Sequence, residues 1–233
     1  MGNKFNHEGH EEKMGFRTNI FFGVIFGVVF LFCCSPVFAD RNEKMAALET
    51  RIAAYILDKQ HKEDFYALAV VKSALESIRE GSGGIGACLL DGSTGKIVEY
   101  GRNRQHSPYF RSDLHAEMDL LNKYEDRAKK MNDPKNLNKT RECKDLVLVT
   151  SVEPCPMCLT RIINSGIKTV LYVVEDKEGG MITRLDNLPP FWREFASDRE
   201  FRPADCSAEL KQIAIDLFNF SSRSFAKKQR EKQ

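Results

Sequence analysis

Ser151-Val152-Glu153-Pro154-Cys155-Pro156-Met157-Cys158 is the stretch on which the reading of this chain turns. It follows the short apolar run Leu146-Val147-Leu148-Val149, typical of a buried strand, and opens a helical pattern from Cys155 to Ser165 that Gly166 ends as a C′ residue. Thr169 to Val174 reads as another strand. Cys155 and Cys158 are three apart, so they share one face of the helix at its N-terminus, where free backbone N–H groups and the helix dipole favour thiolate. A lone C-x-x-C is also the pattern of a redox pair.

Upstream, His115-Ala116-Glu117 likewise opens a helix, with Met118, Leu120, Leu121 and Tyr124 as its apolar positions up to Tyr124. Two thiolates and a neutral imidazole are preferred Zn²⁺ donors, so His115, Cys155 and Cys158 make a three-ligand set. Three protein ligands leave the fourth tetrahedral position open, as in a catalytic rather than a structural site. Glu117, two residues from His115, is placed to reach that position and handle a proton without itself binding metal. A four-cysteine structural site would need a second C-x-x-C, and Cys88, Cys143 and Cys206 do not provide one.

Farther out, Met45, Leu48, Ile52 and Ile56 recur at helical spacing, and Phe65, Leu68, Val71, Leu75 and Ile78 repeat the pattern. Gly81-Ser82-Gly83-Gly84 stops the second helix; Ile85 to Leu90 and Ile97 to Tyr100 then read as strands joined by a Gly-containing turn. The polar residues from Glu125 to Lys144 read as a loop, Asn187-Leu188-Pro189-Pro190 breaks regularity, and Leu210, Ile213, Leu217 and Phe218 mark a closing helix. This order predicts one three-layer α/β/α domain. With 42% hydrophobic and 29% charged residues the composition is that of a globular protein. A net charge of +2 argues against a dedicated high-affinity nucleic-acid binder.

The N-terminus reads as an appendage. Thr18 to Ala39 carry no charge, Lys4, Lys13 and Arg17 precede them, and Val37 and Ala39 are the small residues of a cleavage site. Residues 1–39 are therefore expected to be a signal peptide, the alternative being an uncleaved membrane anchor. Residues 40–62 form an added helix, 63–222 the main domain, and 223–233 a basic tail expected to fray. The protein is expected to be exported, periplasmic or secreted, or else held at a membrane through its leader.

His-x-Glu followed by Pro-Cys-x-x-Cys resembles the zinc deaminase signature of the cytidine deaminase-like superfamily. Ser151 to Cys158 is especially similar to the T/S-x-E-P-C-x-M-C of its tRNA adenosine deaminase and guanine deaminase branch. The resemblance runs from about Asp64 to Ser222. It implies a central mixed five-stranded sheet, His115, Cys155 and Cys158 on one Zn²⁺ per chain, Glu117 as catalytic proton shuttle, and a homodimer. Gly101-Arg102-Asn103 matches the family's G-x-N segment, so Asn103 would bind substrate, and the Ala116 N–H would bind a substrate carbonyl or ring nitrogen. Glu153 before the Pro-Cys pair resembles purine-acting members more than cytidine-acting ones. The implied reaction is hydrolytic deamination of a nucleobase or nucleoside with release of ammonia. The alternatives are a tRNA-specific adenosine-to-inosine deaminase, to which the basic tail is similar, and a non-catalytic zinc-binding module. Phe191-Trp192 either lines the pocket or packs its loop onto the core.

Overall fold

In the computed structural model the backbone is described for residues 36–130, 143 and 145–230, and side chains for residues 40–127, 143 and 145–220. Residues 1–35, the bulk of the expected leader, lie outside the described residues, as does most of the polar stretch from 131 to 144. Among the described residues no helix is long and apolar enough to cross a membrane.

The chain alternates helices and strands: α1 (Pro36–Ala54), α2 (Asp64–Arg79), β1 (Gly86–Asp91), β2 (Ile97–Arg102), α3 (Ala116–Lys130), β3 (Leu146–Val152), α4 (Pro156–Ser165), β4 (Thr169–Val174), a 3-10 turn (Ile182–Asn187), α5 (Pro190–Ala196), β5 (Glu200–Pro203) and α6 (Ala208–Arg230). The sheet has the order β2-β1-β3-β4-β5. β1 is antiparallel to both β2 and β3, while β3, β4 and β5 run parallel, so the expected mixed five-stranded sheet is present.

Both faces of the sheet are covered. Successive strand residues point to opposite sides. Cys88, Leu90, Val149, Leu171 and Val173 therefore join a cluster with Leu48 and Ile52 of α1, Val71 and Leu75 of α2, and Ile213 and Leu217 of α6. Their neighbours Ala87, Leu89, Leu148, Val170 and Tyr172 join a second cluster with Leu120 of α3 and Leu159, Ile162 and Ile163 of α4. Burial on both faces is why the central strands read as continuous apolar runs. It also makes Cys88, fully buried, a small hydrophobe whose thiol is pushed up by burial.

α3 is bolted to the edge strand by its own polar face. Asp119, Lys123 and Arg127 stand one turn apart: Asp119 Oδ2 accepts from Arg102 N–H (3.2 Å), Lys123 Nζ donates to Tyr100 C=O (3.3 Å), and Arg127 Nη2 donates to Val98 C=O (2.9 Å). These side chains occupy outward-facing backbone groups of β2, as an edge strand requires.

Several sequence expectations change. The added helix expected over 40–62 is α1, which begins at Pro36, inside the expected leader, and ends at Ala54. Ile56 lies beyond α1 and is exposed, and Phe65, on the outer face of α2, is half exposed, so neither belongs to the core. Residues Glu125 to Lys130, expected in a loop, complete α3, and the tail expected to fray continues α6 as far as Arg230. The fifth strand, Glu200–Pro203, was not marked by any apolar pattern.

Candidate active site

Two helix N-termini meet beside β3. Cys155 is the N-cap of α4, in extended backbone (φ −70°, ψ 169°), followed by Pro156 at the first helical position, where a missing N–H costs nothing. Cys158 lies on the inward face of the first turn and is fully buried with Leu159 and Ile162. Gly166, with φ +87°, ends the helix in the left-handed conformation that a C′ glycine supplies.

His115 immediately precedes α3, and its C=O accepts the first helical hydrogen bond from Asp119 N–H (2.9 Å). Its Nδ1 lies 3.6 Å from Cys155 Sγ. One donor atom from each of His115, Cys155 and Cys158 lies within 4.8 Å of the others, and this is the one such group of three found among the described residues. A hydrogen bond from Cys158, joined by His115 and opposed by burial, pulls the Cys155 thiol down to about 4. The same bond to Cys155, with burial, pushes Cys158 up, and Cys155 in turn raises His115. A thiolate beside a second thiol and an imidazole, at the N-terminus of a helix, is a donor set that fits Zn²⁺.

Glu117, in the first turn of α3, is buried, and burial raises its carboxyl above the usual range. Thr150 of β3 donates its hydroxyl to Glu117 Oε1 at 3.2 Å. No sequence pattern marked Thr150, which looks like any β-branched strand residue until α3 is laid over it.

Gly101 of β2 explains how closely α3 approaches. A Cβ there would stand 2.6 Å from Leu120 Cβ and 2.7 Å from Leu120 N, and closer still to Ala116 C=O. Ala116 is fully buried, and as the first residue of α3 its N–H lies outside the helical ladder.

Asn103 follows β2 and is buried. Its Oδ1 accepts from Gln105 N–H (3.0 Å) and Gly83 N–H (3.4 Å), and its Nδ2 donates to Gln105 Oε1 (3.2 Å). Arg104 N–H donates to Leu114 C=O (2.9 Å), which ties this segment to the residue before His115. Trp192 packs partly against the second cluster, whereas Phe191 is exposed.

The family model for the cytidine and deoxycytidylate deaminase zinc-binding region matches residues 42–174, and that span holds the His-x-Glu and Pro-Cys-x-x-Cys motifs. The chain belongs to this family. Among solved structures, this deaminase is similar to a guanine deaminase from Nitrosomonas europaea, at 17% identity over 74% of this chain and 91% of that one, with a TM-score of 0.49. It is also similar to the Bacillus subtilis guanine deaminase (26% identity, 54% and 76% covered, TM-score 0.39). A third likeness is to a structure from work on tRNA:A34 deaminases that carry out A-to-I editing at the wobble position (17% identity, 64% and 94% covered, TM-score 0.47). None of the curated proteins matches.

Proposed function

We propose that this deaminase releases ammonia hydrolytically from an amino-substituted nucleobase or nucleoside, with His115, Cys155 and Cys158 holding one Zn²⁺ per chain. The observation that carries the reading is the convergence of those three donors with the buried carboxylate of Glu117, in the first turn of α3 and beside Cys158. Bound there, zinc would supply a water of lowered pKa as nucleophile.

The protein's own groups do the rest. Glu117 carries one proton from the nucleophile to a ring nitrogen, and then a second, from the hydroxyl now on the ring carbon, to the amine, which departs as ammonia and leaves a ring carbonyl. The Thr150 hydroxyl, 3.2 Å from Oε1, holds that carboxylate in one orientation while it does so. The Ala116 N–H, free of the helical ladder, is placed to donate to a ring carbonyl or nitrogen. Asn103, held by its loop bonds to Gln105 and Gly83, is assigned to substrate binding by the family resemblance. A structural zinc site would have no use for a buried carboxylate beside it, which is why the catalytic reading is favoured over a zinc-binding module.

A net charge of +2 suits a small neutral substrate. The uncharged run Thr18–Ala39 with its small-residue end supports export, which fits a free base or nucleoside better than tRNA. N-terminal sequencing of the mature protein tests this and is expected to begin at Asp40. Light scattering on the purified chain tests the homodimer that the family resemblance implies.

The deciding experiment pairs Glu117→Ala with the parent in an ammonia-release screen over adenine, guanine, cytosine and their nucleosides, with a tRNA transcript assayed for inosine. The variant is expected to keep about one zinc per chain, like the parent, and to lose ammonia release. Parent-like turnover in Glu117→Ala would sink the mechanism. Inosine in the transcript without turnover of any free base or nucleoside would move the substrate to tRNA.

A further inference from the structure

Glu153 stands two residues before Cys155 and is buried at 3% exposure, yet neither oxygen bonds a cationic side chain. All three of its bonds come from neutral donors on one loop. Oε1 accepts from Thr183 N–H (2.7 Å) and Thr183 Oγ1 (3.0 Å), and Oε2 accepts from Asp176 N–H (3.1 Å). The loop is shaped around the carboxylate. A Cβ on Gly180 would collide with Glu153 Oε2 and stand 2.7 Å from Asp176 C=O. On the loop's other side Arg184 gathers the carbonyls, donating from Nε (3.0 Å) and Nη2 (2.6 Å) to Gly180 C=O.

Backbone bonds extend the clasp to the metal-site residues. Glu153 N–H donates to Val174 C=O (2.8 Å), and Met181 N–H donates to Pro154 C=O (2.9 Å). Pro154 has a ring-fixed φ, so a tether on its carbonyl leaves the backbone entering Cys155 little freedom. The loop from Asp176 to Thr183 thus holds both residues that precede the Cys155 thiol, and the Glu153 carboxylate is the centre of that hold.

We propose that Glu153 is a positioning residue, its carboxylate clasping the loop from Asp176 to Thr183 onto the end of β3 so that Pro154 and Cys155 are held in metal-binding geometry. This rests on the reading of Cys155 as a zinc ligand. It gives the carboxylate before the Pro-Cys pair a role independent of which base is bound. The chemistry is acceptor-only. Every partner donates, so a glutamine amide would turn its NH₂ toward either Asp176 N–H or the two Thr183 donors and leave a buried donor unmatched. Glutamine is therefore not a conservative replacement, despite its shape.

The test measures zinc affinity by competition with a chromogenic chelator, together with kcat, KM and thermal unfolding. Glu153→Gln is expected to bind zinc about tenfold to a hundredfold more weakly, the usual penalty for losing support behind a ligand. At saturating zinc its kcat should fall more than its KM rises. Because Glu153→Gln could fail to fold, Thr183→Val removes the Oγ1 donor alone and should weaken zinc binding by a smaller factor, while Thr183→Ser restores it. Ile213→Val in the opposite cluster lowers stability without touching the clasp and should leave zinc affinity at the parent value. Parent-like zinc affinity in both Glu153→Gln and Thr183→Val, with only a lower Tm, would overturn the proposal. Equal zinc affinity for Cys155→Ser and the parent would instead bring down the underlying ligand assignment, and the clasp's role with it.

Discussion

Gly101→Ala tests whether the contact between β2 and α3 sets catalysis as well as stability. The new methyl would stand 2.6 Å from Leu120 Cβ and 2.7 Å from Leu120 N, against 3.4–4 Å for ordinary van der Waals contact. The nearest obstacles include the backbone of the first two turns of α3, so no side-chain rotation clears the space. α3 must recede by about 1 Å to reach normal separation. Overfilling of this kind costs about 1–3 kcal/mol. At roughly 2–4 °C per kcal/mol for a chain of this size, Tm should drop by roughly 2–12 °C. The same shift carries His115 and Glu117 away from Cys155, Cys158 and Thr150. A misplacement of about 1 Å at reacting groups can cost about a hundredfold in rate. The assay is thermal unfolding beside ammonia-release kinetics at a temperature where the variant is fully folded. Ile213→Val, which costs about 0.5–1.5 kcal/mol on the other side of the sheet, should keep its kcat. A Gly101→Ala enzyme with parent kcat and a Tm within about 1 °C would refute the reasoning, because α3 would then have room that the backbone positions deny.

Other expectations follow from the same structure. Thr150→Val keeps the shape but removes the donor to Glu117; a hydrogen bond to a charged group is worth about 1.5–3 kcal/mol, so kcat should fall about tenfold or more with zinc content unchanged, and Thr150→Ser should recover it. Chelation of the parent should abolish ammonia release and lower Tm, and both should return with added zinc; a Tm indifferent to chelator would contradict the metal site. Tyr55→Phe removes a hydroxyl that donates to Asp64 (2.7 Å) and contacts Ser207 Oγ (2.6 Å), and should cost about 1–2 kcal/mol in urea unfolding while leaving kcat alone. Asp64 itself titrates with folding. Burial pushes its carboxyl up, but donors from Ser207 N–H, the Tyr55 hydroxyl and Asp58 N–H outweigh that and hold it below the usual value. A depressed folded value adds stability above the unfolded pKa, near 4, that is lost as pH falls through the folded one. The Tm should therefore drop on acidification below about pH 4, and Asp64→Asn should start lower at neutral pH and drop less; parallel curves would exclude Asp64 as the cause.

Much of this was legible in the order of residues. Strand β4 and the end of α4 at Gly166 follow from local rules: a run of β-branched and apolar residues, and a left-handed position that glycine adopts freely. Cys155 and Cys158 share a helix face because the period of a helix is local, and His115 carries Glu117 with it for the same reason. Where local signals are weak the sequence misled. Glu125 to Lys130 offers Ala128 as its one apolar residue, so helical periodicity has nothing to register there although α3 continues to Lys130. β5 is four residues long at the sheet edge and carries only one apolar side chain with burial on neither face complete, so nothing in Glu200-Phe201-Arg202-Pro203 marked a strand. Phe65 and Ile56 match the helical repeat, yet one faces outward and the other lies past the helix end.

The sequence by itself thus determined the chemistry that is possible, since thiol, imidazole and carboxylate at helical spacing are properties of neighbouring residues. Only the tertiary structure decided that they meet. His115 and Cys155 are 40 residues apart, and they come within 3.6 Å because α3 and α4 pack on the same face of one sheet. The supports are decided there too, across somewhat shorter stretches of chain: Thr150 under Glu117, 33 residues apart, Gly101 under Ala116, and the loop around Glu153, with Thr183 30 residues on. Each depends on two elements approaching within a few ångströms, a distance set by side-chain packing across the sheet that no local pattern encodes.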